Sequence, residues 1–289
     1  MNKRKSWEEA VRYLRSNPED AQLVRDAYLD ENNLEAAERF ETSDEFGEVL
    51  SLLKRTCTKA APWEVLDIGA GNGIASYAFA KAGNKVYALE PDLSNDVGTG
   101  AIRRLKEDYS LNIEIFGSSG EKIPLPEQAV DVVYVRQALH HSHDLEKMLN
   151  EAHRVLRDGG CLLACREHVV DDDEQLNIFL DSHPLHKWYG GENAFSLHVY
   201  IKSIRQSGFN IVKTFGPYDS VINVAPMSME KMKGSLAMST GFTWANKLFV
   251  KLFESEKIWF LCAWVLSRVS KTPGRLYSFL ALKEGIEKR

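Results

Sequence analysis

Four cysteines, at positions 57, 161, 165 and 262, are all that the 289 residues hold, and no two of them stand as C-x-x-C. That rules against a zinc knuckle or an iron–sulfur ligand set. Cys161 and Cys165 share one strand face by the period of two and read as core residues. Such sparing use of cysteine points to a reducing cytoplasm. Long apolar runs are missing too. The longest, residues 258–266, has nine residues, whereas a membrane-spanning helix needs about 20. The start, Met-Asn-Lys-Arg-Lys-Ser-Trp, is basic but lacks the apolar stretch of a signal peptide. Nor is there a surplus of positive charge: 36 Lys and Arg against 41 Asp and Glu give a net charge of -5. A nucleic acid partner is therefore not expected. What remains, 44% hydrophobic and 27% charged residues, is ordinary globular composition.

The most informative segment is residues 65–73, Val-Leu-Asp-Ile-Gly-Ala-Gly-Asn-Gly. A short strand pattern over 64–68 meets three glycines at alternate positions, Gly69, Gly71 and Gly73. A helical pattern over 74–81 follows at once. Such a strand-to-helix turn gathers bare backbone N–H groups at one point, and glycine lets that backbone approach a ligand. Spacing narrows the ligand. The third glycine comes one residue too early for the dinucleotide pattern G-x-G-x-x-G. No Gly-Lys-Ser/Thr follows, so a Walker-type phosphate loop is excluded.

Three further segments extend the pattern. Residues 85–90, Lys-Val-Tyr-Ala-Leu-Glu, form a short strand ending in a carboxylate, seventeen residues after Gly73. At the tip of the next parallel strand, Glu90 can accept both hydroxyls of an adenosine ribose. Residues 118–135 read Ser-Ser-Gly-Glu-Lys-Ile-Pro-Leu-Pro-Glu-Gln-Ala-Val-Asp-Val-Val-Tyr-Val. Residues 136–141 are Arg-Gln-Ala-Leu-His-His, and a helical pattern over 144–156 then meets the stop Gly159-Gly160.

Together these segments resemble the class I S-adenosylmethionine (SAM) dependent methyltransferases, with a type 11-like methyltransferase domain. The resemblance implies SAM as cofactor and assigns residues to it. Asp67, Gly69, Ala70 and Gly71 would hold its amino acid end, with Arg136 pairing the carboxylate. Glu90 would hold the ribose. Ser119 and Gly120 would contact the adenine, although Ser119 stands where the family pattern carries an Asp, and Glu121, which matches the family Glu, would also belong to the cofactor site. Asp131 would open the fourth strand.

Strands alternate with helices from 63 to 166, the signature of a parallel sheet. The expected fold is α/β: a doubly wound, mostly parallel, Rossmann-like sheet of seven strands, the last over about 276–283. By the resemblance that strand runs antiparallel. Residues 1–60 read as a helical extension, with helices over about 7–14, 19–29 and 34–54, and 61–289 as the methyltransferase domain. Insertions at about 167–195 and 216–274 exceed simple connections. The first follows strand five, so it should build the acceptor pocket, and the second should form a lid or docking surface.

The expected activity is methyl transfer, most readily onto oxygen, to a small-molecule or glycan-like acceptor. An oxygen acceptor needs its proton removed. His168, then His141 and His183, are the candidate bases. Trp188, Tyr189, Glu192 and Asn193 offer ring and hydroxyl contacts. No metal site is expected; His183-x-x-His186 with Glu192 is the nearest approach to one. Aromatic and basic residues across 242–269 suit core packing, peripheral membrane contact or a dimer face. Two other functions stay open: a SAM-binding subunit that transfers nothing, and an NAD-dependent oxidoreductase.

Overall fold

The computed structural model describes residues 5–238 and 249–285. Its centre is one seven-stranded sheet in the order β3-β2-β1-β4-β5-β7-β6. The strands are β1 (Glu64–Ile68), β2 (Lys85–Leu89), β3 (Ile113–Phe116), β4 (Val130–Arg136), β5 (Leu156–Val169), β6 (Phe209–Phe215) and β7 (Arg275–Lys283). Pairing is parallel from β3 through β5, and β7 runs antiparallel to both its neighbours. This is the fold expected from the sequence. The middles of the central strands are mostly apolar, because helices cover both sheet faces. One face packs on Phe40, Phe46 and Phe79, the other on Leu149, Tyr200 and Ile204.

The N-terminal helices differ in detail from expectation. Helix α1 (Trp7–Ser16) opens with a reciprocal cap between Ser6 and Glu9 and ends before Pro18. The second helix is only Ala21–Asp26, because Tyr28 takes a positive φ of 56°. The long third helix is two. α3 (Asn33–Glu41) stops at Thr42, and Ser43 caps α4 (Asp44–Thr56) by accepting from the Phe46 N–H. A serine that can bond its own backbone restarts the helix at a new angle.

Cys161 and Cys165 are both buried core residues on one face of β5, as the period of two suggested. Cys161 is in addition disulfide-bonded to Cys57 at the end of α4, with Cα atoms 5.5 Å apart, and Cys165 is a buried free thiol. Asp131 lies at the sheet end opposite the glycine loop. It accepts from Lys59 Nζ (2.6 Å), the Glu64 N–H (2.9 Å) and Arg157 (2.8 Å). Its place is structural: it ties the start of β4 to the start of β1.

The first insertion holds a helix, Asp173–Ser182, and then an irregular loop that returns to β5 through the Val170 N–H and Phe195 carbonyl (3.2 Å). In the second, the helix Glu256–Val269 buries Trp259 and Ala263. Phe260, Leu261 and Trp264 face outward, each more than half exposed. Trp244, Lys247 and Leu248 of the aromatic segment lie outside the described residues. No helix among the described residues is long and apolar enough to cross a membrane.

Candidate active site at the carboxyl ends of the strands

A cavity of about 570 Å³ opens where β1, β2 and β4 end. This is the crevice that an open α/β sheet leaves for a ligand. The glycine loop forms one wall. Gly69 has φ +69°, and a Cβ there would meet the Ala138 Cβ at 2.5 Å. Gly71, with φ +54°, has nothing within 4 Å of where its Cβ would stand, so its bare backbone faces open space. Glu90 is already in register with the loop. It accepts from the Gly71 N–H (2.7 Å) and the Asp92 N–H (2.8 Å). Burial outweighs those two bonds and pushes its carboxyl up to about 7. Ser119, Gly120 and Glu121 form the side next to Glu90, with Met148 behind them.

Two distant segments close the cavity. Trp7 of α1 and Tyr189 of the first insertion both line it, with ring centroids 5.3 Å apart. Trp188 packs beside them on Tyr13, at 4.4 Å, and its carbonyl accepts from the Lys5 N–H (2.9 Å). The helical extension is also fastened to the glycine loop itself. Asn33 Nδ2 donates to the Asn72 carbonyl (2.8 Å), and Asn72 Nδ2 donates to the Tyr28 carbonyl (2.7 Å). Both bonds are buried.

At the far end histidines gather around two carboxylates. His141 lines the cavity, and its Nδ1 meets the Gly191 carbonyl at 3.0 Å. A carbonyl accepts only, so Nδ1 carries the proton and Nε2 is the bare nitrogen. His140 lies behind it, with Nδ1 2.7 Å from Glu167 Oε2. Glu167 also accepts from the Ala138 and His140 N–H groups, each at 3.1 Å, so it holds the whole turn after β4. Burial works against charge on His140, but Glu167 and Glu192 prevail and raise it to about 9. His168 goes the other way. Burial, then the neighbouring His140 charge, brings it down to about 3. Burial would lift Glu192, yet the surrounding imidazoles hold it at about 2.

Of the residues assigned from sequence, Gly69, Gly71, Glu90, Ser119, Gly120, Glu121 and His141 line this cavity. Asp67, Ala70 and Arg136 do not. Asp67 is buried under the loop and accepts from Ser76 Oγ (2.6 Å). Arg136 points into the protein and holds Glu45 through two bonds (2.7 and 3.1 Å). The Tyr28 and Phe40 rings flank it, at 5.4 and 5.3 Å. The expected carboxylate clamp is therefore corrected to an internal ion pair. His168 and His183 stand behind the wall: the His168 Nδ1 is tied to the Gly274 carbonyl (2.8 Å). Trp188 packs against Tyr13 of α1 and does not line the cavity.

Sequence reasoning missed Trp7 and Glu167. A signal for Glu167 existed: a carboxylate inside the strand Cys-Leu-Leu-Ala-Cys-Arg-Glu-His-Val, fully buried in the fold, demands a partner. Trp7 gave no comparable sign, being one apolar position on an amphipathic helix.

Comparison with known proteins bears on the segment that carries the glycine loop and Glu90. Residues 66–164 match a family model described as "Methyltransferase domain". The chain is similar to an uncharacterized methyltransferase, YcgJ, of Bacillus subtilis (strain 168). The two are 29% identical over 143 residues, 47% of this chain and 52% of that one. It is also similar to a sarcosine/dimethylglycine N-methyltransferase of Aphanothece halophytica, 32% identical over 115 residues, 37% of this chain and 40% of the other. It thus spans about half or less of the curated relatives it matches. Among solved structures, geranyl diphosphate C-methyltransferase from Streptomyces coelicolor A3(2) aligns with a TM-score of 0.55 at 13% identity. That alignment covers 96% of this chain and 97% of that one. At such identity the likeness is one of fold.

Proposed function

Because residues 66–164 belong to the class I SAM-dependent methyltransferases, we propose that this chain transfers the methyl group of SAM to a small-molecule acceptor. The observation that carries the reading is a single cavity joining the two ends. The glycine loop and Glu90 stand at one end, and His141 and Glu192 at the other. The donor end suits SAM in its own geometry. Gly71 leaves its backbone bare toward the cavity, and the Glu90 carboxylate sits where a ribose can reach it.

When bound, SAM supplies a methyl carbon already activated by its sulfonium. The chain's residues then align and shield the transfer. Gly69 and Gly71 admit the methionine end, Glu90 accepts from the ribose hydroxyls, and Ser119 and Gly120 flank the adenine. Trp7 and Tyr189 cover the cavity and offer ring faces to an acceptor. His141 takes the acceptor proton on Nε2. An acceptor oxygen fits this last step best, since a neutral hydroxyl carries a proton that must leave. A hydroxyl-bearing, glycan-like metabolite is the proposed class. The N and C acceptors named for the proteins compared above show that the matched donor segment does not fix the acceptor atom.

The test is to incubate the protein with SAM and a panel of hydroxylated, amino and carbon acceptors and to measure S-adenosylhomocysteine. Binding of SAM with no turnover on any acceptor would favour a non-catalytic subunit. A melting temperature raised by NAD and not by SAM would favour the oxidoreductase.

The helix Glu256–Val269 supports a peripheral membrane contact. Phe260, Leu261, Trp264 and Val265 are exposed together, and the Arg268 guanidinium lies 3.9 Å above the Trp264 ring. Lys257 is exposed at the helix start. An apolar stripe with basic neighbours suits an anionic lipid surface. Co-sedimentation with anionic but not neutral vesicles is expected; concentration-dependent dimerisation without vesicle binding would point to a second copy instead.

A further inference from the structure

Behind the acceptor end, Glu192 occupies an unusual position. Its side chain is 5% exposed and faces three ring nitrogens. His140 Nε2 is 3.7 Å away, His141 Nε2 3.8 Å and His183 Nδ1 3.9 Å. A carboxylate paired directly with an imidazole closes to about 2.7–2.9 Å, as Glu167 does with His140 at 2.7 Å. Glu192 has three such neighbours and closes on none. The buried His183 Nδ1 has no hydrogen-bond partner at all.

The outer contacts of these rings follow one plan. His140 Nδ1 is held by the Glu167 carboxylate and His168 Nδ1 by the Gly274 carbonyl. In each ring that leaves Nε2 as the inward nitrogen. An imidazole whose far N–H is fixed by a carboxylate or a backbone carbonyl is the arrangement found around bound metals, because it sets tautomer and orientation together. One ligand atom from each of His140, His168 and Glu192 falls within 4.8 Å of the others.

We propose that His140, His168 and Glu192 bind a divalent first-row transition-metal cation. Metal–ligand bonds of about 2.0–2.2 Å place ligand atoms roughly 3–3.5 Å apart, so the cluster must tighten. The two histidines are anchored by their outer hydrogen bonds. Glu192 lies on the irregular stretch after the helix Asp173–Ser182 and is the member free to move inward. Two imidazoles with one carboxylate select zinc, iron, cobalt or manganese over calcium or magnesium. Three protein ligands leave coordination positions open, and of the three only Glu192 lines the cavity. The proposal concerns binding alone and stands apart from the methyl-transfer reading. It also replaces the pair suggested by His183-x-x-His186, since the chain spacing pointed to neighbours in sequence and the fold unites β5, the turn after β4 and the insertion.

The full chain, stripped with a chelator, is titrated with Zn²⁺ against a chromophoric competitor and with Co²⁺ by visible absorption. One equivalent per chain is expected, with ligand-field bands for Co²⁺ and a higher melting temperature on Zn²⁺ addition. Glu192→Gln and His168→Ala should each remove stoichiometric binding and the melting shift. Glu167→Gln, which loosens the outer contact of His140 and the turn that carries it, should weaken binding about 10–100-fold. His198→Ala, exposed on another helix, should change nothing. If wild type binds neither ion stoichiometrically, the site does not exist. Binding that survives Glu192→Gln with unchanged Co²⁺ bands overturns it equally. Should His168→Ala fail to fold, Glu192→Gln on the loop still decides.

Discussion

At the end of the cavity proposed for the donor the wall is largely backbone, supplied by Gly69, Gly71 and Gly120 near the tips of neighbouring strands, with Glu90 as its one buried carboxylate. The end proposed for the acceptor is made of side chains from places far apart in the chain: Trp7, His141, Tyr189 and Glu192. Backbone at a strand tip is fixed by the sheet and cannot be edited by substitution. Side chains delivered by a helical extension and an insertion can be replaced one by one. On the proposed function, one end is therefore built for a fixed ligand and the other for one that substitution can change. The family match, residues 66–164, stops just short of β5's end and includes neither the extension nor the insertion.

If the two ends are separable, changes at one should leave the other intact. The largest effect is expected from His141→Ala. It should lower kcat by about 10²–10⁴-fold, the range for loss of a general base, with SAM affinity measured by calorimetry unchanged. A matching loss of SAM binding would join the two ends. Glu90→Ala is the converse. Losing hydrogen bonds from ribose to a charged partner should weaken SAM by about 30–1000-fold, with little change in KM for the acceptor.

A pH series sharpens the donor side. The Glu90 carboxyl titrates near 7 in the ligand-free protein, against an ordinary value of 4.5. The ionised form accepts from the ribose, so the SAM Kd should rise about tenfold per pH unit below 7. Glu90→Gln should flatten that dependence. Stability has the opposite sign: the group's folded value is raised, so as pH rises from 4.5 to 7 the empty fold should lose stability while SAM affinity grows. Paired melting curves with and without SAM across that range check both. The smallest effect is expected for Trp7→Ala, roughly a tenfold rise in acceptor KM from lost ring contact and opened cover.

Legibility in the sequence followed the same division. The donor end could be read because its residues lie on successive strand tips with short, regular spacing, and alternate glycines have few uses. Arg136 shows the limit. A cation at a strand end looks like a ligand clamp, but Glu45, 91 positions earlier, takes it. The cluster at the acceptor end joins residues 27 positions apart at His140 and Glu167 and 50 apart at His141 and Gly191. No local period marks such contacts. His168 was favoured as a base by its place at the end of β5, but its ring lies behind the cavity wall that His141 lines, with its Nδ1 held by Gly274, which β7 brings alongside. The break at Ser43 was missed because apolar periodicity runs on through a restart that one hydroxyl decides.

The crossed amides of Asn33 and Asn72 bear on time rather than on position. They bolt the helical extension to the glycine loop, so the element that brings Trp7 to the cavity and the loop proposed for SAM are held as one unit. On the proposed function, loosening either bond should speed exchange of the spent donor and open the chamber to water.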